Sequence, residues 1–565
     1  MTDRNAESHF GQIESPSIKR SMFDMQFRNL STCNAGKIIP FFVYSDVLPG
    51  DTLKINTSAV IRMQTPLNPT MDDLFVDTYF FAIPHRLVWD HWKEFMGENK
   101  DSAWVSSTQY QVPKITAPSG GVAMGTIADY MGIPKGVAGI EYQALPFRAY
   151  TLVYDTWFRN QNLIAPPTLH TDDTDRTGSN TVTELGGTPF SAGRIADYFS
   201  TCLPDAQKQL PGFTSGSVTI PLGTTAPVYT SDTLNPKTIY QPIKYTAFDP
   251  GQTTEKTLTA SNQYDAKIYS NANGNLAYSG ANGAEGTGAN FFEITPRNLY
   301  ADLTNATAAT INALRLAFQI QKLFESMGRG GTRYFELIKN EFATSPNIGY
   351  MQYPEYLGGK RTPLDLSQVL QNSSTTGSGQ SLQALGDTGG MSHTVFSNED
   401  FTKSFQEHCI ILGVMVIRQY HTYQQGLNRM WSRRDRLDYY TPVLAHLGEQ
   451  AVLKKEIMAT GNSTNDNAVF GYQERWSEYK YGQQIITGEM NSTYATSLDV
   501  WHYGDYYANQ PTLAQNWFEE TPAYVDRTIA VTSANAHQFK FDIATHMIAT
   551  RPMPVYCTPG LIDHF

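Results

Sequence analysis

Cysteine, charge and long apolar runs are all scarce in this chain of 565 residues. The four cysteines, Cys33, Cys202, Cys409 and Cys557, lie far apart and form no CxxC pair or Cys/His metal spacing, which excludes a disulfide-stapled scaffold and a zinc ribbon. They are expected to be reduced and buried. Charged residues make up 17% of the chain, below the roughly 25% of ordinary soluble domains. The net charge of −11 argues against an unaided grip on nucleic acid, because phosphate binding needs a local excess of Lys and Arg. The longest apolar run, Cys409 to Ile417, falls far short of the roughly 18 residues needed to span a bilayer. The polar start, MTDRNAESHF, carries no apolar core of an export signal, so the protein is expected to be made and kept in solution. GxSxG, HExxH and P-loop patterns are missing too, and catalysis and cofactors gain no support.

What is present points to β structure. Tyr and Phe are plentiful, Gly and Thr punctuate the chain, and no charged or Pro-rich linker parts two independently patterned halves, so one large, elaborated domain is expected. IIPFFVYSDV, LKINTSAVIRM and LFVDTYFFAI are β-branched and aromatic runs bounded by turn residues, and predict three successive strands. HCIILGVMVIRQYHTY (His408 to Tyr423) predicts a fully buried strand, and Val525 to Val531 and Phe539 to Thr550 further ones. Helical spacing predicts short helices over Arg86 to Gly97 and Pro146 to Leu163, and an amphipathic core helix over Thr307 to Met327 with Phe318 on its apolar stripe. Thr332 to Phe342 resumes as helix after a flexible turn at GRGGTR, and Gln371 to Gly390 suits a surface loop. Antiparallel strands broken by long connections favour a jelly-roll over a parallel βαβ fold.

Several segments invite functional readings. Residues 1 to 35 show no sustained period and read as an arm, with Lys19, Arg20 and Arg28 as its basic groups. His85 and His91, beside Trp and Asp, read as packing or hydrogen-bonding residues rather than catalytic bases. Asp173, Asp175, Thr177, Gly178 and Glu184 occupy calcium-loop positions, but no convincing helices flank them and Asn180 replaces the usual apolar residue, so a solvated acidic loop is the better reading. From about Thr224 to Phe291 the chain fills with Thr, Asn, Gly, Ala and Ser and reads as a polar insertion, in which KTIYQPIKYTAF and DAKIYS suit small strands. WHYGDYY (Trp501 to Tyr507) suggests either core and contact packing or, as a minor alternative, a carbohydrate platform.

The whole is organised around Tyr423 to Glu456. Its charges, aromatics and turns suit neither a core strand nor an amphipathic helix, and it reads as surface built to be buried. Arg429, Trp431, Arg433, Arg434 and Arg436 are residue types enriched where proteins pack together or grip phosphate, so they are candidates for a subunit contact or a DNA-facing surface.

The run GLNRMWSRRDRLDYYTPVLAHLGEQAV resembles a signature of the gokushovirus (Microviridae) major capsid protein family. FFVYSDVLPGDT, MDDLFVDTYFFAIPHRLVWDHWKEFMGE, TLVYDTWFRNQNL, DYFSTCLPDAQK and FGYQERWSEYKY resemble further parts of it, in family order. The resemblance implies a mainly β, eight-stranded antiparallel jelly-roll with long inserted loops and several helices. It further implies a jelly-roll domain over 36–565, and over 224–291 a variable threefold protrusion proposed to meet a host-cell surface receptor. It also implies sixty copies in a T=1 icosahedral shell around circular single-stranded DNA, assembled in the host cytoplasm. The implied partners are the chain itself, an internal scaffolding protein, a small basic DNA-binding protein, a DNA pilot protein and the packaged DNA. The alternative from another class is a β-rich carbohydrate-binding or hydrolytic surface protein.

Overall fold

The computed structural model describes residues 19–98, 100, 108–208, 311–330, 336, 352–372, 385–386 and 388–556, with seven short strands between 228 and 301. Eight long strands carry the body: β1 (Ser21–Cys33), β2 (Ile39–Val47), β3 (Thr52–Met63), β4 (Leu74–Pro84), β5 (Glu355–Pro363), β6 (Thr394–Ser404), β7 (Cys409–Gln419) and β8 (Phe539–Arg551). They form two four-stranded antiparallel sheets, ordered β1-β8-β3-β6 and β5-β4-β7-β2. The first strand pairs with the last, the second with the seventh, the third with the sixth and the fourth with the fifth. The fold is mainly β with antiparallel sheets, as expected.

Period-2 alternation explains why the sheets face each other. Leu53, Ile55, Ala59 and Ile61 of β3 and Phe539, Phe541, Ile543 and Met547 of β8 turn inward, where Phe41, Phe80, Ile411 and Met415 of the other sheet meet them in one core. β7 is buried on both faces, which is why its sequence is a continuous apolar run. Its second face, with Ile410, Leu412, Val414 and Val416, packs in a second core with Trp89 and the helix α1 (Leu145–Val153). Gly413 is small because a Cβ there would lie 2.9 Å from the Phe80 ring and 3.0 Å from Phe41.

Residues Ser21–Cys33, expected within an unpatterned arm, are strand β1, paired with β8 along its full length. Exposed Met22 and Leu30 on its outer face break the polar alternation that would have marked it. Val525 to Val531, expected as a strand, holds the end of a helical turn, Ala523–Asp526, and an isolated bridge from Ile529 to Pro66. Pro522 opens that turn, and its carbonyl accepts the Val525 N–H. The long helix runs Ile311–Gly330, so Gly328 to Gly330 lie inside it rather than in a turn, and Leu316 and Phe318 are exposed rather than in a core. Glu336 alone of the expected following helix is described. The histidines pack as expected: His85 is buried against Trp92, and His91 stacks on Tyr110.

The chain divides into two compact units, residues 209–324 and the remainder. Within the smaller unit Val228–Thr230 pairs with Leu299–Ala301, Tyr245–Phe248 lies between Lys256–Thr257 and Glu293–Pro296, and Ile268–Ser270 pairs with Leu276–Tyr278. Short strands thus occur in both segments expected to form them, and the unit extends beyond 224–291 on either side. The rest of that insertion, most of Gln371 to Gly390, residues 1–18 and Cys557 lie outside the described residues. Cys33, Cys202 and Cys409 are buried free thiols.

Candidate subunit-contact surface

The loop after β7 is held from below by buried charge. His421 bonds Asp505 through Nδ1 at 3.0 Å and Glu520 through Nε2 at 2.9 Å, and Arg194 donates to the same Asp505 carboxylate. Burial disfavours the charged ring, yet the two carboxylates outweigh it and raise the imidazole pKa to about 9. Asp505 is held far below the usual carboxylate range, despite its burial, by His421 and Arg194. Tyr423 donates to Asp197 at 2.7 Å, and Gln425 donates to the Tyr507 carbonyl at 2.9 Å. Gly426 then passes so close to the next segment that a Cβ would sit 2.0 Å from the Glu456 carbonyl oxygen.

Above this floor the chain turns outward. Asn428 caps the short 3-10 turn Arg429–Ser432 by accepting the Met430 N–H, and Asp435 with Asp438 forms a capping box on Arg436–Asp438. The four arginines separate into two pairs. Arg429 is half-buried and reaches Glu456 at 3.3 Å and the Ala451 carbonyl at 3.0 Å. Burial raises the Glu456 pKa, and Arg429 opposes that rise. Arg433 lies over the Tyr479 ring at 4.3 Å and pairs with Glu478 at 3.5 Å. Arg434 and Arg436 are exposed, and among the described residues no carboxylate pairs with either side chain.

Around these cations the surface is apolar. Trp431 is 71% exposed, Leu437 65% and Val443 89%, with Met430, Tyr439, Tyr440 and Leu447 also exposed. Single exposed apolar residues are ordinary, but a succession of them along one loop makes that loop a candidate for protein contact. Tyr481 and Ile485 extend the group from a second segment. The sequence reading did not single them out, because apolar residues in a strand-poor stretch look alike whether they fill a core or face water.

The remaining sequence candidates lie elsewhere. Arg28 pairs with Asp542 of β8 at 2.8 Å on the outer sheet face, while Lys19 and Arg20 are exposed just before β1. In the acidic loop, Asp173 accepts from the Trp89 indole at 2.6 Å and bonds His91 at 3.0 Å, whereas Asp175 accepts the Lys114 backbone N–H at 2.9 Å. Thr177 lies in a short strand with Arg176, and Glu184 in a separate 3-10 turn. Among the described residues no group of three His, Cys, Asp or Glu side chains converges on a metal position. In WHYGDYY, His502 and Tyr503 are buried, with Tyr503 in the main core, so the run is not an aromatic platform.

A rigid two-sheet body presenting an outward aromatic and arginine loop is the profile of a protein that packs on other proteins. The family description fits this profile: the chain belongs to the family described as Capsid protein (F protein), whose model matches residues 11–561. It is 38% identical over 570 residues to Capsid protein VP1 of Spiroplasma virus 4, covering 99% of each chain. It is 37% identical to Capsid protein VP1 of Bdellovibrio phage phiMH2K over 100% of each, and 34% identical to that of Chlamydia phage 1 over 98% of each. The resemblance read from its motifs is therefore borne out. The chain is a phage capsid protein, a structural part of the virion and not an enzyme.

Proposed function

We propose that the chain is the major coat protein of a small single-stranded DNA phage, and that its eight strands form a viral jelly-roll. Sixty copies close a T=1 icosahedral shell around a circular genome. The observation that carries this reading is the pairing of first strand with last, second with seventh, third with sixth and fourth with fifth, the path of one long hairpin folded over on itself. The loop with Trp431, Arg434 and Arg436 packs on a neighbouring subunit; exposed Leu437 and Val443 favour protein over phosphate as its partner. Arg429 and Arg433 hold the loop's shape beneath that contact.

The net charge of −11 leaves packaged phosphates in need of cations from elsewhere. The reading therefore includes a small basic DNA-binding protein, an internal scaffolding protein and a DNA pilot protein, with Lys19 and Arg20 at the root of an N-terminal arm. The polar insertion, 224–291, meets a receptor on the host cell. Negative-stain electron microscopy of the purified chain, with scaffolding protein supplied, tests the assembly. Uniform closed particles are expected; monomers alone would overturn the reading.

A further inference from the structure

Beside Trp431 the surface opens into a groove of about 340 Å³. Leu427, Trp431, Tyr481 and Ile485 form its exposed apolar walls, and Tyr198 and Tyr423 lie deeper. No acceptor is assigned to the Trp431 indole N–H among the described residues, so it is open to a peptide carbonyl. Aromatic walls with an outward indole donor suit a proline-containing peptide, whose fixed proline torsions leave less backbone entropy to lose on binding.

The chain carries a proline-containing segment just beyond β8, bent in the free subunit at Pro552, where the Met553 N–H bonds the Arg551 carbonyl at 2.8 Å. Arg551-Pro552-Met553-Pro554-Val555-Tyr556 has proline at alternate positions, which removes two backbone donors, biases the preceding residues to extended backbone and keeps the segment from joining a sheet edge. Its apolar side chains stand in water: Val555 is 58% exposed and Tyr556 84%.

The two features lie at opposite ends of the sandwich. Arg551 is tied to Asp51 at 2.7 Å and to the Asp46 carbonyl, beside Val47, which pairs with Cys409 at the start of β7. The groove is built from Tyr420, His421 and Tyr423, just past Gln419 at the end of β7. At roughly 3.3 Å per residue, β7 separates them by about 33 Å. Five residues reach no more than about 18 Å. A subunit's own Tyr556 cannot enter its own groove.

We propose that the groove of one subunit receives Pro552–Tyr556 of a second copy of the chain, with Tyr556 or Val555 against Trp431. This rests on the coat-protein reading and assigns it one specific contact. Because donor and acceptor surfaces differ, the contact is either passed head-to-tail around a rotation axis, closing a ring, or exchanged reciprocally across a twofold.

The test places cysteines at Leu427→Cys and Met553→Cys in a Cys557→Ala background, and oxidises assembled particles. Covalent multimers on a non-reducing gel are expected, a ladder for a ring and dimers for a reciprocal pair, lost when either new cysteine is omitted. Particles that give only monomer, or a monomer closed by an internal crosslink, overturn the proposal while leaving the coat reading intact. Failure of the unmodified chain to form particles counts against the coat reading instead. A second measurement needs no assembly: a peptide of sequence RPMPVY is titrated onto the unassembled subunit. Saturable binding is expected, weakened about tenfold or more by Trp431→Ala as for a buried aromatic anchor. No binding at millimolar peptide, or equal binding by the variant, overturns the proposal.

Discussion

Arg429 and Arg436 share a loop, but among the described residues Arg429 has a carboxylate partner and the Arg436 side chain has none. Removing Arg429 leaves Glu456 buried without its counter-charge, bonded among the described residues by the Tyr198 hydroxyl and the Leu453 N–H. Arg429→Ala is expected to cost the isolated subunit about 2–4 kcal/mol, read from chemical denaturation, because breaking one side of a buried pair strands the other. Arg436→Ala is expected to leave the subunit's melting temperature where it was and to lower particle yield. His421 supplies a pH signature. Its pKa in the fold, about 9, is above the ordinary 6.5, so its contribution to stability is complete below about pH 6.5 and is lost as pH rises through 9. Thermal melts of the subunit should therefore fall across that window, and His421→Gln should flatten the fall. The sequence reading saw the arginines as one group, since a row of cations carries no record of which carboxylates fold up against it. Glu456 and Glu478 are separated from them in sequence and meet them only in the fold.

At the level of elements, strands announced themselves where both faces or one whole face are apolar. β2 and β7 lie within the runs read from sequence, β3 and β4 outrun theirs by one residue each, and β8 begins where expected, because β-branched and aromatic residues bounded by turn formers have few other ways to be buried. β1 escaped because its outer face carries Met22 and Leu30 among Asp24, Gln26 and Arg28, so the alternation is blurred although the inward set is regular. The period of the helix Ile311–Gly330 was legible and its burial was not: an apolar stripe says only that something should cover it. The contact loop depends on Gly426 for its path. Gly426→Ala would push the loop away from Glu456, and is expected to lower the melting temperature and to reduce trypsin resistance after Arg433 and Arg434, checked by limited proteolysis.

At the scale of the whole molecule, the proposed function gives assembly and attachment to separate parts of the chain. Deleting Asn235 to Gly288 is expected to leave particles able to form and impaired in adsorption to cells; unchanged adsorption would remove the receptor role of the insertion. Motif order made the family legible from sequence over most of the chain, while the insertion, poor in apolar period, carried little beyond its polarity.

The last of the eight strands to leave the ribosome is β8, and it belongs inside a sheet, between β1 and β3. Until it arrives, a nascent chain holds two strand edges open around a slot one strand wide. A chain that ends before β8 keeps that slot open, and it also lacks the exposed Pro552–Tyr556 segment that follows β8 directly. A subunit that lacks β8 therefore has neither a closed sheet nor the segment proposed to reach a neighbour, and such chains are expected to be left out of assembled particles.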